Sequence, residues 1–170
     1  QDPVTATDLQ VSSDQLPGRV FGGAVGVHLY PLRKGSFAFG IGGEVVLAGG
    51  HAQRAETTTT PAGPIVQQQL RGFSVQISLN FGHLDGWSYL SAGAGPMIFA
   101  TYLGDTRPAD DPPHSSTINL GGGARWFFKS HLAFTFDIRF YQTRPENTFG
   151  ADGARARNQL MVMSGGISIR

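Results

Sequence analysis

Cysteine is absent from these 170 residues, which excludes a disulfide framework and any thiolate chemistry. Charge is scarce as well. Asp, Glu, Lys and Arg together make 15% of the chain, against about 25% in a typical soluble domain. Thirteen basic residues against twelve acidic ones leave a formal charge of +1, too weak a field to select nucleic acid. No run approaches the ~18 apolar residues that a membrane-spanning helix requires. No basic segment followed by an apolar core is present either, and the opening "QDPV" is compatible with a mature chain whose secretory signal has been removed. One residue type is in excess. Glycine occurs 24 times, roughly twice its usual ~7% share. Twelve phenylalanines and a strict periodicity argue against reading that glycine as disorder.

The periodicity is clearest in "HLAFTFDIRFYQ", residues 131–142. Leu132, Phe134, Phe136, Ile138 and Phe140 fall on one face, and Ala133, Thr135, Asp137, Arg139 and Tyr141 on the other. The same alternation recurs in "GFSVQISLNF", where Phe73, Val75, Ile77, Leu79 and Phe81 oppose Ser74, Gln76, Ser78 and Asn80. "SFAFGIGGEVVLA" sets Phe37, Phe39, Ile41, Val45 and Leu47 against Ala38, Gly40, Gly42, Glu44 and Val46. "TINLGGGARWFF" sets Ile118, Leu120, Ala124, Trp126 and Phe128 against Asn119, Gly121, Gly123, Arg125 and Phe127. A period of two is the signature of strands. Weaker versions lie at Val20–Tyr30, Tyr89–Thr101 and Asn158–Arg170.

The connections alternate in length. "PLRKGS", "GHLDGW" and "FKSH" are tight turns. Between them run three longer polar, proline-containing segments at 49–64, 104–116 and 143–157. Short and long connections in strict alternation predict an all-β, antiparallel up-and-down meander with its tight turns at one end. Seven strands are clear, and an even count calls for an eighth. Val4–Ser12 is the expected first strand, with "SDQLPGR" as the first long-side loop. The chain thus divides into an N-terminal segment, 1–18, and a barrel, 19–170. The alternatives are that the first strand lies outside these 170 residues or that residues 1–17 are disordered.

Alternation does not say which face is inside. A soluble lipocalin-like barrel would turn the apolar face inward around a ligand, and a transmembrane barrel would turn it toward lipid. The polar face decides between them. Instead of the Lys, Glu and Arg of a wetted strand surface it carries Gly, Ala, Ser, Asn and Gln, with Glu44, Arg125, Asp137 and Arg139 as isolated charges. Small side chains suit an eight-stranded interior, which is just wide enough to be filled by them. Aromatics form two groups. Tyr30, Phe81, Trp87, Trp126 and Phe128 stand beside the tight turns, and Tyr102, Phe140 and Tyr141 near the long loops, as interfacial belts do.

The pattern resembles the small eight-stranded outer-membrane barrels of the OmpA/OmpW type. "GGGARWFFKSHLAFTFDIRFY" is similar to the last tight hairpin of such proteins, and "SGGISIR" resembles their closing strand without its terminal aromatic. The resemblance covers most of residues 19–170 and implies a bacterial outer-membrane location, with tight turns periplasmic and long loops extracellular. Outer-membrane lipid and other outer-membrane proteins are the partners it implies.

Opposite charges in a narrow interior are expected to pair, because a charge buried alone costs several kcal/mol. Glu44, Arg125, Asp137 and Arg139 therefore make an expected interior ion-pair network that fills the lumen; an ion- or proton-conducting path is the functional alternative. The outward small residues Gly43, Ala92, Ala94, Gly122 and Gly165 are an expected protein-contact face, since small side chains let another chain approach closely. Catalysis finds little footing. An outer-membrane lipid A deacylase carries His and Ser one residue apart on a strand, and the nearest match here, His131-Leu132-Ala133, has alanine in the nucleophile's place. Asp105, Asp110, Asp111 and His114 could meet a divalent ion, but Pro108, Pro112 and Pro113 keep that loop extended and the spacing fits no metal cage. No cofactor is expected. The function expected from these residues is a non-enzymatic outer-membrane barrel with a structural or interaction role, as a subunit of a larger assembly or alone. A narrow channel or carrier for small molecules, and a soluble ligand-binding barrel, are the alternatives.

Overall fold

The computed structural model describes residues 18–53, 56, 58, 61–83, 85–104, 114–143 and 159–169. They form seven strands: β1 (Phe21–Lys34), β2 (Phe37–Ala52), β3 (Val66–His83), β4 (Gly86–Leu103), β5 (His114–Lys129), β6 (Leu132–Thr143) and β7 (Gln159–Ile169). Each strand pairs antiparallel with its sequence neighbour, in the order β1-β2-β3-β4-β5-β6-β7. The single sheet curls into a half-barrel. The up-and-down meander follows from the turn lengths, since antiparallel strands need only a tight hairpin while the other end is free to carry long loops. Val4–Ser12, the expected eighth strand, lies outside the described residues.

The tight turns are tighter than their sequence suggests. Pro31–Lys34 continues β1, after a bulge in its register with β2 between Leu29 and Leu32. The reversal falls on Gly35 and Ser36, and Gly35 has φ of 57°, a left-handed conformation that glycine adopts without steric cost. A second bulge interrupts the β5–β6 register between Phe127 and Lys129. Bulges of this kind bend a strand and sharpen its twist, which helps a sheet to curl.

The two faces are unlike. On the concave face Gln76, Asn119, Asp137 and Arg139 are buried, at 1%, 0%, 8% and 3% exposure. On the convex face Phe73, Ile77 and Leu120 stand 48–59% exposed, with Phe37, Val45, Phe134 and Ile167 among many others. The polar face is therefore the inside. Among the described residues the hydrophobic core is small: Val46, Leu70, Met97 and Tyr141, with Ala48, Phe99, Leu160 and Val162 packed against it.

Because β1 and β7 are both odd-numbered, they run in the same direction, from the long-loop end to the tight-turn end. They are the two edges of the sheet.

Candidate functional site: the polar interior

The register sets the interior in rows. Ala38, Asn80, Tyr89, Gly123, Asp137 and Ser164 occupy one row across β2–β7. Gly40, Ser78, Ser91, Gly121, Arg139 and Val162 form the next, and Gly42, Gln76, Gly93, Asn119, Tyr141 and Leu160 the one after. Glycine recurs where a neighbour's long side chain must lie flat on the wall. A Cβ on Gly123 would stand 2.7 Å from the Tyr89 hydroxyl, and one on Gly121 3.0 Å from Arg139 Cγ. One on Gly42 would meet the His28 ring at 2.7 Å, and one on Gly40 the Tyr30 ring at 2.8 Å. The glycine-rich strands are thus shaped around the interior side chains.

Arg139 is the hub. Its Nε and Nη2 donate to Asp137 Oδ1 and Oδ2, both at 3.3 Å, in a two-pronged contact. Its Nη1 donates to Asn119 Oδ1 at 3.0 Å, and its Nη2 stands 3.8 Å from Glu44 Oε2. Both carboxylates are held by tyrosines as well. The Tyr89 hydroxyl donates to Asp137 Oδ2 at 2.7 Å, and that of Tyr141 to Glu44 Oε1 at 3.0 Å. Glu44 belongs to β2 and Arg139 to β6, so the contact spans the hollow of the curled sheet.

Arg125 stands apart from this cluster. Its Nη1 donates to the Tyr30 hydroxyl at 2.8 Å and to Asn80 Oδ1 at 3.1 Å. Its guanidinium lies 4.4 Å from the centre of the Tyr89 ring, a cation–π contact. Of the four charges expected to form one ion-pair network, the structure brings Glu44, Asp137 and Arg139 into ion-pair contact. It gives Arg125 neutral partners instead. Among the described residues Ser91 Oγ, Asn119 Nδ2 and Arg125 Nε are buried without a hydrogen-bond partner, while Gln76 lies against His28.

Three aromatics expected in the outer belts lie on the inner face. Tyr30 and Tyr141 carry the bonds just described, and Trp87 sits at the tight-turn rim with the Arg33 guanidinium 5.1 Å above its ring. Strand parity places them there, since Tyr30, Trp87 and Tyr141 share the phase of His28, Tyr89 and Arg139. Trp126, Phe128 and Phe140 do face outward, with Phe128 stacked on Phe134. Tyr102 keeps the outward phase but is buried, where it takes a bond from Gln69 Nε2 at 2.6 Å and donates to Gln67 Oε1.

The small outward residues divide. Gly43 and Ala94 flank Val75 in one row, Ala92 lies in the adjoining row, and Gly122 is diagonal to it. A shallow apolar depression lies here, lined in part by Val75, Ile77, Ala92 and Ala94. Gly165, on β7, is remote from this band.

Ser130 Oγ and His131 Nδ1 are 2.7 Å apart on the exposed β5–β6 turn. Nucleophilic catalysis needs the base to be oriented in turn by a third group, and among the described residues no carboxylate bonds that imidazole. His28 stacks near Tyr30 on the inner wall, ring centres 6.5 Å apart. No group of three His, Cys, Asp or Glu able to hold a metal occurs among the described residues; Asp105, Asp110 and Asp111 lie outside them. Comparison of the chain with protein-family models, with curated proteins and with solved structures gives no match.

Proposed function

We propose that this chain is an eight-stranded transmembrane β-barrel of a bacterial outer membrane, non-enzymatic, with a side-chain-filled lumen and a structural or interaction role. One observation carries the reading: the curled sheet buries Asn, Gln, Ser, Asp and Arg and exposes Phe, Ile, Leu and Val. In water that arrangement would leave an apolar surface far beyond the few hundred Å² a soluble monomer tolerates. In lipid it is the favourable one.

The height of the apolar band supports the same reading. From Phe37 to Leu47 the outer positions of β2 span roughly 34 Å along the strand. At the ~40° tilt of such barrels this is about 26 Å, against the ~25 Å apolar band of outer-membrane proteins. The few charges within these strands mostly face inward, where they have partners. By the same reading the tight turns are periplasmic, and the band of Gly43, Ala92, Ala94 and Gly122 is the face toward a partner in a larger assembly.

An eighth strand completes the wall. β1 and β7 are parallel to each other, so one strand running the opposite way would pair antiparallel with both. Val4–Ser12, which precedes β1 in the chain, is the segment proposed for it.

The test is membrane partitioning with heat-modifiable gel mobility. The chain, expressed with a secretory signal, is expected to remain in the urea-washed envelope pellet and to migrate differently before and after boiling. Recovery in the soluble fraction, with one mobility, would sink the membrane reading.

A further inference from the structure

We propose that Arg71 holds a lipid phosphate at the long-loop edge of the apolar band, on the line where the wall leaves the hydrocarbon and its two faces exchange roles. This rests on the transmembrane-barrel reading above and names the lipid group that the convex face takes.

Strand β3 carries the observation. On its convex side, from the tight turn upward, stand Phe81, Leu79, Ile77, Val75 and Phe73, then Arg71, Gln69 and Gln67. On its concave side stand Asn80, Ser78, Gln76 and Ser74, then Gly72, Leu70, Gln68 and Val66. Leu70 and Val66 are buried, at 3% and 0% exposure, while Arg71 is exposed. The apolar side chains thus change faces between Phe73 and Leu70. The backbone does not, because the register with β2 runs unshifted from Phe37↔Phe81 to Ala52↔Val66. Without a bulge to turn the side chains over, it is the surroundings of each face that differ above and below this line. Other strands change in the same direction. The convex side of β6 and β7 passes from Phe140 and Met161 to the facing pair Gln142 and Gln159, and that of β5 from Ile118 to Ser116. Inside, Leu70 joins Val46, Met97 and Tyr141 in the small core. Apolar side chains within and amides outside suit a barrel end that stands in water.

Charge points to what lies at the line. Among the described strands, the Asp, Glu, Lys and Arg residues whose register places them on the convex face are Lys34, Arg71 and Lys129, all cationic. Lys34 shares a row with Phe37 and Phe81, at the tight-turn edge. Arg71 marks the other edge, since the rise from Phe81 to Arg71 is roughly 26 Å at the ~40° tilt of such barrels, close to the ~25 Å apolar band. Its partners across the sheet are Leu47 and Ile98, and among the described residues no carboxylate pairs with it. The aliphatic stem can lie on those apolar neighbours with the head reaching outward. Beyond it the wall is polar, with Gln69 Nε2 donating to the Tyr102 hydroxyl at 2.6 Å. A guanidinium without a protein anion, at the height of the headgroups, matches the forked geometry of a phosphate.

Two measurements on the full chain refolded into vesicles test this, with insertion checked by the boiling-dependent mobility shift. The chain has no cysteine, so Phe73→Cys and Gln69→Cys each take a single nitroxide. The label at 73 is expected to meet oxygen dissolved in lipid more than an aqueous nickel chelate, and the label at 69 to show the reverse. Two inserted variants with the same preference would overturn the proposed edge. In the second measurement, phosphatidylglycerol in place of phosphatidylcholine is expected to raise the folded-to-unfolded ratio of wild type in urea. That gain should fall about fivefold in Arg71→Gln, the effect of one cation at an anionic surface, and persist in Arg71→Lys. A gain that survives Arg71→Gln undiminished would overturn the phosphate contact. Failure of the wild type to insert would instead remove the membrane reading itself.

Discussion

Arg139 is approached by two carboxylates from opposite walls, and each of these is also held by a tyrosine hydroxyl. Removing the guanidinium strands Glu44 and Asp137 in the interior, and breaking a buried pair from one side costs about 3–5 kcal/mol. Arg139→Leu is therefore expected to lower the denaturant midpoint of the refolded protein by a corresponding amount, read by loss of the fast-migrating form in a urea series. Arg139→Lys should restore part of it, since the charge returns without the two-pronged geometry. Gly123 makes a second case. A valine there collides with the Phe136 carbonyl oxygen as well as the Tyr89 hydroxyl, an overpacking cost of about 1–3 kcal/mol. Gly23→Val is the control, because a Cβ at that outward position meets nothing within 4 Å. Equal midpoints for the two valine variants would refute the view that interior glycines are shaped around their neighbours. That Glu44, Asp137 and Arg139 share the polar face was legible from alternation, and that this face is inward from its small side chains, but their partners were not. Tyr30 reaches Arg125 from 95 residues away and Tyr141 reaches Glu44 from 97, and nothing local in the sequence encodes such distances.

Each strand owes its existence to a pattern visible in the chain, and β2, β3, β5 and β6 coincide closely with the clearest alternations. Their ends were harder to read. Pro31 reads as a turn former, yet β1 continues through it, because the missing N–H is tolerated at a sheet edge and beside a bulge. The small inner core of Val46, Leu70, Met97 and Tyr141 is illegible in the sequence for a related reason. Leu70 and Met97 lie outside the most regular stretches, and a hydrophobic residue at a single inward position looks the same as an outward one until register is fixed. Register also supplies the sharpest test of what the convex face meets. Ile77 is central on β3 and outward, so Ile77→Arg is expected to destabilise a lipid-inserted barrel by about 2–4 kcal/mol. In a water-soluble barrel the same substitution would be harmless or would improve solubility. Refolding yield into vesicles, compared with that of an inward control such as Ser78→Ala, separates the two.

For the molecule as a whole, the open question is the seam. Two parallel edges ask for one more strand, and deletion of residues 1–17 is expected to abolish the boiling-dependent shift while leaving the seven hairpin-linked strands unaltered in sequence. Retention of the shift by the truncated chain would mean that the wall closes without Val4–Ser12. Composition led to the membrane proposal through the poverty of the polar face in charge; the burial pattern shows only that this face is the inner one of the curled sheet. The biological role is another matter. It rests on the long loops and the outward band of small residues, and neither contains a constellation whose chemistry names a ligand.

The bonds that cross the hollow carry a consequence for the order of events in folding. Among the described residues every strand pairing joins neighbours in the chain, so each hairpin can form early and with little loop entropy to overcome. The links from Arg125 to Tyr30 and from Glu44 to Tyr141 join residues 95 and 97 positions apart and can form only once the later strands have been laid down. The ribbon of hairpins should therefore assemble first and the cylinder last, with the two tyrosine hydroxyls acting as latches. A chain arrested before β5 would keep its pairing and have neither latch.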